Sequence, residues 1–156
     1  MTEAFALRRA TSADAPAIRN LSRMAYAKWV PLIGREPLPM TADYDRAAAE
    51  HIIDLVEEGG DLLALIEMVP APFHLLIENI AVRPDQQGRG LGDLLLRHAE
   101  TLALSMNFAE TQLYTNALFA SNLAFYAKRG YKEYRSETMA SGSTAIFMRK
   151  KLAAAT

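Results

Sequence analysis

"IAVRPDQQGRGLGDLLLRHAE" spans residues 80–100, and its reading decides the fold. It begins as the end of an apolar strand and finishes as a helix. Between them, positions 88 to 92 carry three of the chain's eight glycines. Glycine weakens a helix interior but reaches backbone conformations closed to other residues, so glycines set against a helix start need a reason. One reason is an anion. Without side chains in the way, the unpaired N–H groups of the first turn and the positive end of the helix dipole can approach it closely. The other is steric, a helix packed tightly against its neighbour. The glycines alone leave both open.

Working outward, "FHLLIENIAV" (73–82) reads as the strand that feeds the turn, bounded by "VPAP" before and "RPD" after. After the turn, Leu91, Leu94, Leu95, His98 and Leu102 fall on one helical face. Further upstream, "HIIDLVEEGGDLLALIEM" (51–68) reads as two strands joined by a Gly-Gly hairpin turn. "AFALRRA" predicts a short first strand. "TSAD" predicts a helix cap at Thr11 or Ser12, and Ile18, Leu21, Ala25 and Trp29 predict an amphipathic helix to about residue 30. "PLIGREPLPM" stops it, and "TADYDRAAAEH" predicts a shorter helix capped by Thr41. Downstream come a strand in "TQLYTNA", a short helix in "SNLAFYAKR" with Gly130 as its C-cap, and a closing hairpin around "ASG". The pattern is mixed α/β, a single domain over 1–156, with no repeat and no linker.

Composition narrows the function. Apolar residues make up 51% and charged residues 22%, with a net charge of −1 and no basic run beyond "RKK" at 149–151. Nucleic acid is therefore not the expected partner. No apolar run approaches the roughly 18 residues of a membrane span, and the start lacks a secretory apolar segment, so a cytoplasmic protein is expected. The chain has no cysteine, which excludes disulfides, thiolate metal sites and a cysteine nucleophile. His51, His74 and His98 are scattered singly, with no H-E-x-x-H spacing and no G-x-S-x-G elbow, so no metal is expected. His98 reads as a satisfied boundary residue.

Known phosphate-binding turns differ from this one. A P-loop needs Lys and Ser/Thr after its glycines, where this chain has Leu91 and Asp93 around Gly92. A dinucleotide fingerprint is G-x-G-x-x-G, whereas the run here is G-x-G-x-G. The order strand, Val-x-Pro, Gln-x-x-Gly-x-Gly, helix instead resembles the acetyl-coenzyme A signature of the GNAT superfamily of N-acetyltransferases, with Gln87, Gly90 and Gly92 in its defining positions. "TNALFASNLAFYAKRGY" (115–131) resembles that family's second signature, with its Asn, Phe-Tyr pair and Gly-Tyr close. The resemblance covers nearly the whole chain and is least specific over the first 50 residues.

The resemblance implies a central, twisted, mostly antiparallel sheet of about seven strands flanked by about four helices. Strands near 74–82 and 111–116 would splay apart and admit the pantetheine arm of acetyl-coenzyme A. Its pyrophosphate would lie on Gln87, Gly88, Arg89, Gly90, Leu91 and Gly92, with the Arg89 and Arg83 side chains as possible phosphate partners. Ala81, Val82, Asn116, Asn122 and Tyr126 would meet the rest of the cofactor, and the Val82 amide would serve the oxyanion. The acceptor would be an amine, and the protein a possible homodimer.

Amine acetylation needs a base, because an alkylammonium of pKa about 10 has no lone pair at neutral pH, and an acid for the departing thiolate. Glu78 is the candidate base, a carboxylate alternating with Leu76 and Ile80 on a strand. In the family a bulge is common here and would re-aim either Glu78 or Asn79. Tyr126 is the candidate acid, one helical turn after Asn122 and on the same face. With no cysteine to form an acyl-enzyme, direct attack in a ternary complex is expected. Trp29, Glu36, Tyr44 and Asn79 are acceptor-side candidates, and acids between the first helices hint at a small cationic amine. A protein of this fold that binds acyl-coenzyme A without efficient transfer is the alternative.

Overall fold

Period-two apolar patterning turns into one sheet. In the computed structural model, which describes residues 5–153, seven strands lie in the order β1-β2-β3-β4-β5-β7-β6. They are β1 (Leu7–Arg9), β2 (Ile52–Glu58), β3 (Asp61–Pro70), β4 (Leu75–Val82), β5 (Glu110–Asn116), β6 (Lys132–Thr138) and β7 (Thr144–Lys151). Every neighbouring pair is antiparallel except β4 and β5, which are parallel and joined through a helix crossover. The Gly59–Gly60 turn has both residues at positive φ, as a type I′ two-residue hairpin requires.

The helices are α1 (Ala15–Tyr26), α2 (Val30–Ile33), α3 (Leu38–Thr41), α4 (Tyr44–Glu50), α5 (Leu91–Ser105) and α6 (Ala120–Lys128). Two boundaries differ from the sequence expectation. The first helix gives way after Tyr26 to a 3-10 turn, Ala27–Trp29, rather than running to residue 30. Pro31 has no N–H to return to Ala27, so the chain restarts as α2 with proline in its first turn and stops at Gly34, φ +73°. The cap of the second expected helix is Asp43, whose side chain accepts from the Arg46 N–H at 3.1 Å, and not Thr41. Thr41 ends α3 instead, its hydroxyl on the Leu38 carbonyl.

Two apolar layers clasp the sheet. On one face Leu91, Leu95, Leu96, Ala99 and Ala103 of α5 pack on Ala64, Ile66, Met68, Leu75, Ile77 and Leu113. On the other, Ala15, Ile18 and Leu21 of α1, with Tyr44 and Ala47 of α4, pack on Ile53, Leu55, Leu65 and Ala81. Each Leu, Ile or Met side chain among them contributes roughly 1.5–3 kcal/mol by leaving water.

Two irregularities of β4 position everything that follows. Glu67 of β3 pairs with Asn79 while Met68 pairs with Ile77, so Glu78 is the extra residue of a β-bulge. The bulge reverses the alternation. Leu75 and Ile77 face the α5 layer, but Asn79 bonds to α1 and Ala81 packs in the α1 layer. Pairing between β4 and β5 then stops at Ile77 and Leu113, after three residue pairs, and the strands part.

Candidate active site

The glycine turn occupies the mouth of that opening. Gly88 (φ +87°) and Gly90 (φ +77°) hold left-handed conformations in open space, where a side chain would be strained by the backbone alone. Leu94 N–H reaches the Gly90 carbonyl at 3.0 Å, so by helix geometry the amides ahead of it in the first turn have no intrahelical acceptor. Gly92 serves differently. A Cβ there would stand 3.0 Å from Cζ of Phe125, so the missing side chain lets α5 and α6 approach. Close packing thus accounts for Gly92, while Gly88 and Gly90 have the open, left-handed backbone that an anion cradle would need.

A cleft of about 430 Å³ runs from this turn between the free end of β4 and α6. The expected residues Val82, Gln87, Gly88, Gly90, Leu91, Gly92, Asn122, Tyr126 and Trp29 all line it. Tyr126 is half-buried, edge-on to Phe125 and Tyr131, and burial pushes its hydroxyl up to about 12. It therefore keeps its proton at neutral pH, and its hydroxyl has no hydrogen-bond partner among the described residues. Trp29 stacks on Phe119, ring centroids 4.3 Å apart, and forms a wall rather than core.

Other expected cofactor contacts lie elsewhere. Ala81 is buried in the α1 layer. Arg89 turns toward Glu58 at 3.0 Å and Gln86 at 2.5 Å, with its guanidinium over Phe5. Arg83 pairs with Asp85. Asn116 accepts the Leu118 N–H at 2.9 Å and directs its amide nitrogen to the Ser143 hydroxyl at 3.4 Å. A cation that does line the cleft is Arg129, overlooked in the sequence, held by Asp93 at 2.9 Å and lying 3.7 Å from the centre of the Phe125 ring. Phe125 itself was also missed as lining, whereas Tyr26, a wall candidate from the sequence, does line the cleft. Nothing in a single sequence distinguishes Arg129 from a solvated residue near a helix end.

On the α1 face, the bulge brings Glu78 under the Tyr114 hydroxyl, which donates to its Oε1 at 2.6 Å. Burial, then this carboxylate, pushes the Tyr114 hydroxyl well above the usual range, which keeps it a donor. Asn79 points instead into a buried network. Its Oδ1 accepts from Tyr26 at 2.8 Å and its Nδ2 donates to Ser22 at 3.2 Å, with the Tyr44 hydroxyl 3.4 Å away. Tyr44 is fully buried and donates to the Pro39 carbonyl. Asn79 and Tyr44 thus tie α1 and α4 to the bulge. Glu36 is exposed and pairs with Arg23 at 2.8 Å. The sequence singled out neither Glu67 nor Tyr114. Glu67 is buried opposite Asn79, raised by burial and partly offset by His51 at 2.6 Å.

His98 is satisfied at the boundary by Asp54 at 2.7 Å, as expected. Among the described residues no group of His, Asp and Glu could hold a metal ion, and no helix is long and apolar enough to cross a membrane. The site fits acetyl-coenzyme A in kind. Left-handed glycines and unpaired helix amides suit a pyrophosphate, an apolar slot between β4 and α6 suits the pantetheine arm, and a protonated phenol faces the same cleft.

Solved structures share this architecture. The ribosomal-protein-S18-alanine N-acetyltransferase from Escherichia coli aligns with 98% of this chain and 97% of its own, at 22% identity and a TM-score of 0.77. The PaiA N-acetyltransferase from Thermoplasma acidophilum, solved in complex with coenzyme A, aligns over 96% and 99% at 17% identity and a TM-score of 0.71. A GNAT family acetyltransferase from Elizabethkingia anophelis with acetyl-coenzyme A bound aligns over 95% and 98% at 16% identity and 0.70. No curated protein matches the sequence. The sequence model of the Acetyltransferase (GNAT) family matches residues 16–131, which include the glycine turn, the bulge and α6, and the chain belongs to that family.

Proposed function

We propose that this protein transfers an acetyl group from acetyl-coenzyme A to a primary amine of a small molecule, by direct attack within a ternary complex. One observation carries the reading: the glycine turn's anion cradle and the protonated Tyr126 hydroxyl stand on one continuous cleft, which opens where β4 leaves β5. Bound acetyl-coenzyme A supplies a thioester carbonyl activated for attack by an amine.

The chain's own groups do the rest. Glu78, held by Tyr114, takes the proton from the acceptor ammonium, directly or through water, and frees its lone pair. The Val82 N–H, at the end of β4, faces the developing oxyanion. Tyr126, which keeps its proton at neutral pH, donates that phenolic proton to the leaving sulfur. Amides from Gln87 to Gly92 hold the pyrophosphate, and Asn122 orients the pantetheine arm from the same face of α6 as Tyr126. No step calls for a metal. The reading includes a cytoplasmic location and a homodimer.

The test is release of free coenzyme A over a panel of primary amines. Wild type is expected to release it with at least one amine, and Glu78→Gln and Tyr126→Phe to lose that release while still binding acetyl-coenzyme A. Tight binding with no release from any amine would favour a sensor over an enzyme.

A further inference from the structure

Beyond Glu78, the open face of the sheet carries a cluster of opposite character. Tyr114 and Asn116 are two residues apart on β5, so their side chains share one face, about 7 Å apart along the strand. Tyr114 holds Glu78. Asn116, its side-chain carbonyl oxygen fixed by the Leu118 N–H, turns its Nδ2 to Ser143 just before β7. Arg35, from the loop between α2 and α3, crosses to the same Ser143 hydroxyl through its Nη2.

Three donors from three distant segments thus meet at one point: a guanidinium, a primary amide and a hydroxyl. Among the described residues, Arg35 pairs with no carboxylate. The neighbouring acid, Glu36, turns the other way to Arg23. A serine hydroxyl occupies one of five guanidinium N–H donors, which leaves a fork suited to a carboxylate. This face therefore carries a carboxylate at Glu78 and, apart from it, a cation at Arg35, while the neighbouring Arg135 guanidinium is seated over Phe147 and pairs with Glu137.

We propose that Arg35, Asn116 and Ser143 form an acceptor subsite for a carboxylate, so that the preferred acceptor is an amine bearing a carboxylate several bonds away. The inference rests on the acetyltransferase reading above. The ammonium approaches Glu78 while the carboxylate docks on the Arg35 fork. A purely cationic amine would satisfy only Glu78 and leave its far end facing a guanidinium.

The test compares matched amines in coenzyme A release, 6-aminohexanoate against hexylamine and lysine against cadaverine, for wild type, Arg35→Ala and Arg35→Lys. Arg35 is exposed, so its loss is not expected to disturb folding. Wild type should favour the carboxylate-bearing member of each pair in kcat/KM by roughly tenfold or more, the worth of one charge-assisted hydrogen bond. Arg35→Ala should raise KM for that member alone and erase the preference, and Arg35→Lys should restore part of it. Equal or better use of hexylamine and cadaverine by wild type would overturn the subsite, as would an Arg35→Ala defect shared equally by both members. If none of the four amines is acetylated while acetyl-coenzyme A still binds, the subsite falls and the cofactor reading stands. If acetyl-coenzyme A does not bind, the underlying reading falls as well.

Discussion

Leu75 to Ile77 and Glu78 to Val82 belong to one strand, yet they live in different chemistry. The first three residues have β3 on one side and β5 on the other, and their alternation sends Leu75 and Ile77 into the core under α5. Of the last five, all lose β5, and all but the bulged Glu78 keep β3. Freed on that side, the strand bulges and shows Glu78 to Tyr114, while Ile80 and Val82 become walls of the cleft. The sheet places its candidate functional groups where it gives up pairing, and the paired half supplies the rigidity that holds them there.

If the two halves divide stability from chemistry, substitutions should sort accordingly. The largest effects are expected at the open half and across from it. Tyr126→Phe and Glu78→Gln should each lower kcat by roughly 10² to 10⁴-fold, as loss of a general acid or base does, with KM for acetyl-coenzyme A little changed. For Glu78→Gln the deficit should narrow as pH rises toward the acceptor's own pKa, because solvent then does the deprotonation. Steady-state kinetics against pH checks both. Ile77→Ala, one residue away on the zipped half, should instead cost about 2–4 kcal/mol in denaturant unfolding and leave kcat of the folded enzyme near wild type. A large kcat loss there would break the comparison.

A smaller effect is expected where turn and helix meet. Gly92→Ala places a methyl against the Phe125 ring, which the Arg129 guanidinium backs at 3.7 Å, so the ring has little room to yield. A loss of about 1–2 kcal/mol is expected, with weaker coenzyme A binding, and Phe125→Leu in the same chain should recover much of it. Smallest is a control remote from both halves. Arg8 bonds to Asp14 at 2.9 Å, and together with the Thr11 N–H it holds that carboxyl at about 2, below its ordinary 3.8. A depressed carboxylate stabilises the fold above its unfolded pKa and loses that contribution as pH falls through the folded one. Asp14→Asn should therefore cost about 1 kcal/mol at neutral pH and nothing below pH 2, read from thermal unfolding, with kcat unaffected.

The same division explains what could be read from the chain. Period-two runs, the Gly-Gly hairpin and the helical leucines state local geometry directly, so all seven strands and the turn at 88–92 were legible. Tyr126 and Asn122 were legible because the stretch resembles the family's second signature and residues four apart on a helix share a face, and both do line the cleft. The direction of Asn79 was not, because a bulge has no composition of its own. One extra residue at Glu78 decides whether Asn79 meets an acceptor or Ser22. Trp29 was an acceptor-side candidate, but spacing alone only continues the apolar stripe of α1; Pro31 ends the regular helix and leaves the indole on the cleft wall. Arg35, Asn116 and Ser143 are separated by up to 108 residues, and only the folded sheet brings them together.

The central claim is that the glycine turn holds the cofactor, and calorimetric titration with acetyl-coenzyme A of wild type and Gly90→Glu tests it most directly. Gly90 has open space beside it, so the substitution introduces a carboxylate and a strained left-handed backbone where the phosphates should lie, without displacing a packed neighbour. Saturable one-site binding to wild type, weakened at least about 100-fold in a Gly90→Glu protein that remains folded, is the expected result. Equal binding to both proteins, or none to wild type, would contradict it and leave the turn as a packing device.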